Sequence, residues 1–118
     1  MRRAAPWRTS RTVRVLFDQG TPVPLRDALQ GHAVETAYER GWATLQNGEL
    51  LAAAERDGFD LLVTTDRNLK YQQNLVGRRL GLVVLGTTSW PRIRAALPRV
   101  RQAVDACQSG GYVELSFS

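Results

Sequence analysis

Two aspartates in this chain stand where an apolar run ends. VRVLFDQG, residues 13–20, closes on Asp18, and DLLVTTDRNL, residues 60–69, closes on Asp66. Short runs of leucine and β-branched residues bounded by polar ones read as strands, and runs without alternation read as strands covered on both faces. In an open parallel sheet the ligand crevice lies beyond the carboxyl ends of the strands. Carboxylates delivered together to such a crevice repel one another, and a divalent cation is the simplest relief. Mg²⁺ and Mn²⁺ favour oxygen ligands and retain several waters. A cation so held can position water against a phosphodiester and offset the charge that develops there. A third oxygen is expected from NGELL, where Glu49 falls in the first turn of a helix, a place the helix dipole also favours for an anion. Asp18, Glu49 and Asp66 are therefore the candidate metal-binding and catalytic set. Taken singly, each has a plainer reading as a turn or capping residue; it is the three together that point to a site.

Other polar residues are candidates for support. Asn47 precedes Glu49 by two positions and also suits a helix N-cap; Asn68 and Gln19 follow the two aspartates closely and are able to orient a water, a phosphate or the backbone. Arg67, Lys70, Arg78 and Arg79 flank the expected crevice in sequence and are candidates for phosphate contacts, against the plain reading of a solvated basic face. Tyr71 and Trp42 are able to stack on bases, although aromatic residues beside apolar segments commonly pack inward. His32, after Gly31, reads as a turn residue, and Cys107 has no activating neighbour. Asp57 and Asp60 read as loop carboxylates and Asp105 as a late helical one.

The elements that must position these residues alternate along the chain. VRVLF (13–17) is a first strand, a proline-started helix covers about 24–30 and stops at Gly31, and AVETA (33–37) is a second strand. A helix starting at Asn47 carries Leu50, Leu51 and Ala54 on one face and stops at Gly58. Strands follow at 59–65 and 80–86, with a short helix expected over 66–74. A helix through about Ala106 should be kinked or interrupted at Pro98, and YVELSF (112–117) alternates as a half-exposed last strand. Strands alternating with helices predict an α/β fold, a three-layer α/β/α sandwich around a mainly parallel central sheet.

Composition narrows the class. At 118 residues the chain suits one domain, expected over 13–118 after a basic N-terminal arm at 1–12. One cysteine and one histidine exclude an internal disulfide and any site built from several such ligands. No apolar stretch reaches the roughly 18 residues of a membrane span, and the arginine-rich start lacks the apolar core of a secretory signal, so a cytoplasmic location is expected. The net charge of +5 is local: Arg2, Arg3, Arg8, Arg11 and Arg14 precede the first acid, leaving eleven basic and eleven acidic residues in 15–118. Such an arm is able to hold a polyanion, but the charge of the body gives no independent argument for nucleic acid.

LFDQGTPVPLRDAL followed by GHAVETAYERGWATLQNGELLAAAERDGFDLLVTTDRNL resembles the short bacterial PIN-like domains, relatives of the VapC-type toxin ribonucleases. The likeness covers about residues 13–90 and lies in an ordered set: LFD, a proline-started helix, GH with a β-branched run, a helix near the second acid, and TTD. It implies a PIN-like fold and a metal-dependent endoribonuclease, a hydrolase cutting single-stranded RNA with Mg²⁺ or Mn²⁺. The LFD acid falls on Asp18 and the TTD acid on Asp66. This chain has Asn47 where many related sequences have an aspartate, so Glu49 would take the middle role. LGTTSWP offers Thr87, Thr88 and Ser89 where PIN nucleases commonly have a fourth acid. RNA, a small antitoxin protein and, as a homodimer, a second copy are the partners to consider. The alternative is a catalytically weak or inactive PIN-like module that binds RNA or a partner protein. A receiver-like phosphoacceptor fits less well, since Asp18 has no acidic neighbour and no lysine follows the last apolar strand.

Overall fold

A computed structural model describes residues 12–69 and 77–117. The arm up to residue 11, Lys70, Tyr71 and most of the helix expected over 66–74 lie outside the described residues. The strands are β1 (Arg14–Phe17), β2 (Ala33–Thr36), β3 (Leu61–Thr64), β4 (Gly81–Leu85) and β5 (Tyr112–Leu115). They form one sheet in the order β2-β1-β3-β4-β5, and every pairing is parallel. The fold is thus α/β. β3 and β4, LLVT and GLVVL, are buried at every position, as central strands of a parallel sheet should be. The edge strands β2 and β5 are only partly buried.

Alternate strand residues enter two apolar clusters, the expected consequence of the two-residue repeat of a strand. Val15, Phe17, Leu61, Val63, Val83 and Leu85 join Leu25, Leu29, Ile93, Val100 and Val104. Leu16, Leu62 and Leu82 join Leu50, Leu51, Ala54 and Phe59. Each fully buried leucine, valine or phenylalanine contributes about 1.5–3 kcal/mol relative to exposure.

The helices differ in detail from the sequence expectation. The segment after β1 is a 3-10 helix, Val23–Leu29, with a proline in its first turn, and Gly31 ends it with φ 96°. Helix α1 spans Asn47–Arg56, and its N-cap is Gln46 rather than Asn47. The interruption expected at Pro98 falls one step earlier. Helix α2 (Trp90–Arg94) ends at Ala95, and α3 (Leu97–Ala106) begins with Pro98 in its first turn, where a missing N–H costs nothing. Among the described residues no helix is long and apolar enough to cross a membrane.

The sheet order sets the position of the site. The chain leaves β1 for β2 on one side, then returns to β3 on the other side of β1. The β1/β3 boundary is the topological switch point of such a sheet, where a crevice opens at the carboxyl ends. Asp18 follows β1 directly, and Asp66 lies two residues beyond β3.

Candidate functional site

β1 and β3 pair Phe17 with Val63, and the Asp18 N–H donates to the Val63 carbonyl at 3.1 Å, extending the ladder by one step. The next residue of β3 is Thr64, 2% exposed. Its hydroxyl donates to Asp18 Oδ2 and accepts the backbone N–H of Asp66 at 3.1 Å. One side chain thereby fixes both aspartates relative to each other. The second oxygen of Asp18 lies 2.7 Å from the hydroxyl of Thr21, which is also 2.9 Å from the Val63 carbonyl. A hydroxyl has one proton, so Thr21 donates to one of these acceptors at a time.

Asp66 is anchored on its own account. Oδ1 accepts the Asn68 N–H at 2.9 Å, an Asx-turn, and Oδ2 accepts the Asn47 amide at 3.0 Å. The start of α1 is therefore tied to the end of β3, and Asn47 is in direct contact with Asp66. Glu49 is employed elsewhere: its carboxylate accepts the Gln46 N–H at 2.9 Å, while the Gln46 side chain accepts from the Glu49 backbone, a reciprocal capping box. Gln19 is exposed beside Asp18, and Asn68 contributes its backbone rather than its amide.

Asp18 and Asp66 are half-buried. Among the described residues, the ion pairs go to Glu35, Glu39, Glu55, Asp57 and Asp105 and leave both of these aspartates without a cationic partner. The two carboxylates offer hard oxygen donors of the kind that suit Mg²⁺ or Mn²⁺, and Thr64 and Asn47 hold them from outside. No three His, Cys, Asp or Glu side chains among the described residues form a group able to hold a metal; Mg²⁺ is commonly held by one or two carboxylates with waters completing the shell.

The backbone also contributes. A Cβ on Gly20 would come within 2.6 Å of Thr65 Oγ1, so the loop after β1 approaches the loop after β3 closely only because residue 20 has no side chain. Beside Asp18 opens a cleft of about 290 Å³ lined by Gln19, Thr21, Val23, Arg26, Thr36, Tyr38 and Glu39. Arg26 and Glu39 pair across it at 2.7 Å. The Arg26 guanidinium and the Thr36 N–H hold the Glu39 carboxyl below its ordinary value.

Of the basic residues singled out, Arg67 lies at this edge: its Cδ would be 3.3 Å from a Cβ on Gly86, just past the end of β4. Arg78 and Arg79 do not flank the crevice. They precede β4, and because every strand is parallel they lie at the opposite, amino edge of the sheet. There Arg78 pairs with Glu55 at 2.7 Å, and the N–H groups of Arg79 and Leu80 donate to the same carboxylate. Trp42 packs against the second cluster, edge-on to Phe59, with Arg40 over one face of its ring. His32 is more than a turn residue. Its ring is 3% exposed, Nδ1 accepts the Val13 N–H at 3.1 Å, and Nε2 therefore carries the proton that faces Asp105 at 2.7 Å. It ties the loop before β2 to α3. Burial raises the Asp105 carboxyl, but the bond from His32 and the Arg101 guanidinium bring it below its ordinary value. Cys107 is buried in the core.

Sequence reasoning passed over Thr21, Thr64 and Tyr38. The threonines act through strand register, which a linear reading does not supply. Tyr38 is signalled only by an aromatic residue immediately past a strand end. No protein-family model, curated protein or solved structure is significantly similar to the chain.

Proposed function

We propose that this chain is a PIN-like, metal-dependent endoribonuclease acting on single-stranded RNA, in the cytoplasm and as the toxin of a toxin–antitoxin pair. The PIN-like three-layer arrangement is part of the same proposal. The observation that carries it is the pair Asp18 and Asp66 at the β1/β3 switch point, bridged by Thr64 and left without a cationic partner among the described residues.

In this reading Asp18 and Asp66 hold Mg²⁺ or Mn²⁺. A divalent ion bound there supplies Lewis-acid stabilisation of charge on a phosphodiester. Thr64 keeps the two acids in register, Asn47 steadies Asp66, and Glu49 stands at the same helix start as the third acid. Arg67 and Lys70 hold phosphates of the strand.

Asp66→Asn tests the assignment. Asparagine keeps an oxygen for the Asn68 N–H, so the turn and the circular dichroism spectrum should survive while Mn²⁺-dependent cleavage of single-stranded RNA disappears. Equal cleavage by wild type and variant would remove Asp66 from the chemistry.

A second reading keeps the fold and omits cleavage. It is favoured by the bond between Glu49 and Gln46, which employs the third carboxylate in capping its own helix. Calorimetric titration with Mn²⁺ separates the two, since a binding module of this kind would show neither heat nor cleavage.

A further inference from the structure

The cleft beside Asp18 has a chemistry of its own. Tyr38 is 75% exposed and Val23 is 55% exposed, the two large apolar side chains most open to solvent among the described residues. Both line this cleft. Its other charged groups are Asp18, Arg26 and Glu39, and Arg26 is already paired with Glu39. Asp18, at one end of the cleft, is taken by the cation of the proposed site. Beyond it a phosphate would find no unpaired cation among the described residues that line the cleft, whereas a flat, neutral group meets an aromatic face, an aliphatic wall and the polar side chains of Gln19 and Thr21.

The wall that carries Tyr38 is stiff. The Thr36 N–H donates to Glu39 at 3.0 Å, and the Glu39 N–H donates to the Thr36 hydroxyl at 3.0 Å. The Arg40 N–H donates to the Thr36 carbonyl, and Gly41, with φ 77°, closes the turn onto the Tyr38 carbonyl. A tyrosine held out to solvent by a turn bonded on both sides is arranged in advance for stacking. The cleft volume of about 290 Å³ lies at the low end of ligand pockets, roughly 300–1,000 Å³. It therefore suits one ring system rather than a length of strand.

We propose that this cleft is a nucleobase subsite, in which the base next to the phosphate at Asp18 and Asp66 stacks on Tyr38 with Val23 at its edge. The proposal rests on the reading of the chain as a single-stranded RNA enzyme and adds the group that places the strand. Tyr38 is a positioning residue: it touches the base and leaves the reacting phosphate to the two acids.

The test is fluorescence anisotropy with a labelled single-stranded RNA of about ten nucleotides, within the range of site sizes for such proteins, on the full chain in Ca²⁺ or without metal so that nothing is cut. Tyr38→Ala should weaken binding about tenfold, in line with the loss of one stacked base, and Tyr38→Phe should bind as wild type does. The salt dependence of binding should be the same for wild type and Tyr38→Ala, because no phosphate contact is lost. An oligonucleotide abasic throughout should bind wild type and Tyr38→Ala alike. Because Tyr38 is exposed, the variants should melt with wild type. If wild type binds RNA and Tyr38→Ala binds it equally well, the subsite is wrong and the two acids are untouched by that result. If wild type fails to bind single-stranded RNA at all, the subsite and the RNA reading fall together.

Discussion

A single hydroxyl ties the Asp18 carboxylate to the backbone of Asp66. Thr64 is buried, donates to Asp18 and accepts from the Asp66 backbone. Valine has nearly the same shape and can do neither. Thr64→Val therefore leaves a half-buried N–H and a carboxylate oxygen short of a partner, a cost of about 1–3 kcal/mol, and lets the acids drift apart. The expected result is a loss of Mn²⁺ affinity of about 10–100-fold, the usual effect of removing an outer-shell partner, with Thr64→Ser close to wild type. Calorimetry on the three proteins decides it. Unchanged affinity in Thr64→Val would mean that the bridge does not set the acid geometry. The aspartates themselves were legible because a carboxylate ending an apolar run is a pattern along the chain. The hydroxyl was not, because its partner is on another strand and only the register reveals it. The capping bond of Glu49 was hidden for a related reason: an acid in a first turn serves the dipole, the cap and a nearby site equally well, and sequence does not rank them.

Among the elements, α1 does two jobs. Its start touches Asp66 through Asn47, and its end holds the entrance to β4 through Glu55. That carboxylate accepts from the N–H groups of Arg79 and Leu80 and from the Arg78 guanidinium. Burial raises its pKa, but these donors together outweigh burial and bring it below the ordinary 4.5. A carboxyl lowered in the folded state adds stability that is complete above its unfolded pKa and is lost as pH falls through the folded value. Glu55→Gln keeps an acceptor but no charge. The variant should be less stable than wild type by about 1.5–3 kcal/mol near neutral pH, the range for a hydrogen bond to a charged group. The gap should narrow progressively as pH falls below about 4.5, and urea melts at a series of pH values measure it. A constant gap would contradict the charge-based account. Strands and most helix ends were legible because burial on both faces and turn glycines leave direct marks. The place of the break near Pro98 was not, because proline both ends one helix and begins the next.

At the scale of the molecule, an all-parallel sheet has two unlike edges, and sequence neighbours can be sent to opposite ones. Arg67 follows β3 and Arg79 precedes β4, twelve positions apart, yet the sheet separates them by the length of a strand, roughly 17 Å for five residues. The amino edge is fastened internally. Arg14 bonds to the Asp57 carbonyl and lies over Phe59, Arg40 pairs with Asp57, and Glu55 holds residues 78–80. The carboxyl edge carries the bridged acids, the Tyr38 cleft and Arg67, and among the described residues no ion pair involves either aspartate. If RNA lies along the carboxyl edge, a cation there should count and one at the other edge should not. Arg67→Ala is expected to weaken single-stranded RNA binding and to lower the steepness of its salt dependence by about one phosphate contact, whereas Arg79→Ala should leave both affinity and slope unchanged. Neither side chain supports the core, so both variants should fold, and anisotropy titrations at several salt concentrations compare them directly. The opposite ranking, with Arg79 steepening the salt dependence and Arg67 silent, would place the strand at the amino edge. That outcome would detach RNA from Asp18 and Asp66 whatever their affinity for a metal, because no strand path along the amino edge brings a phosphodiester to acids at the far end of β1 and β3.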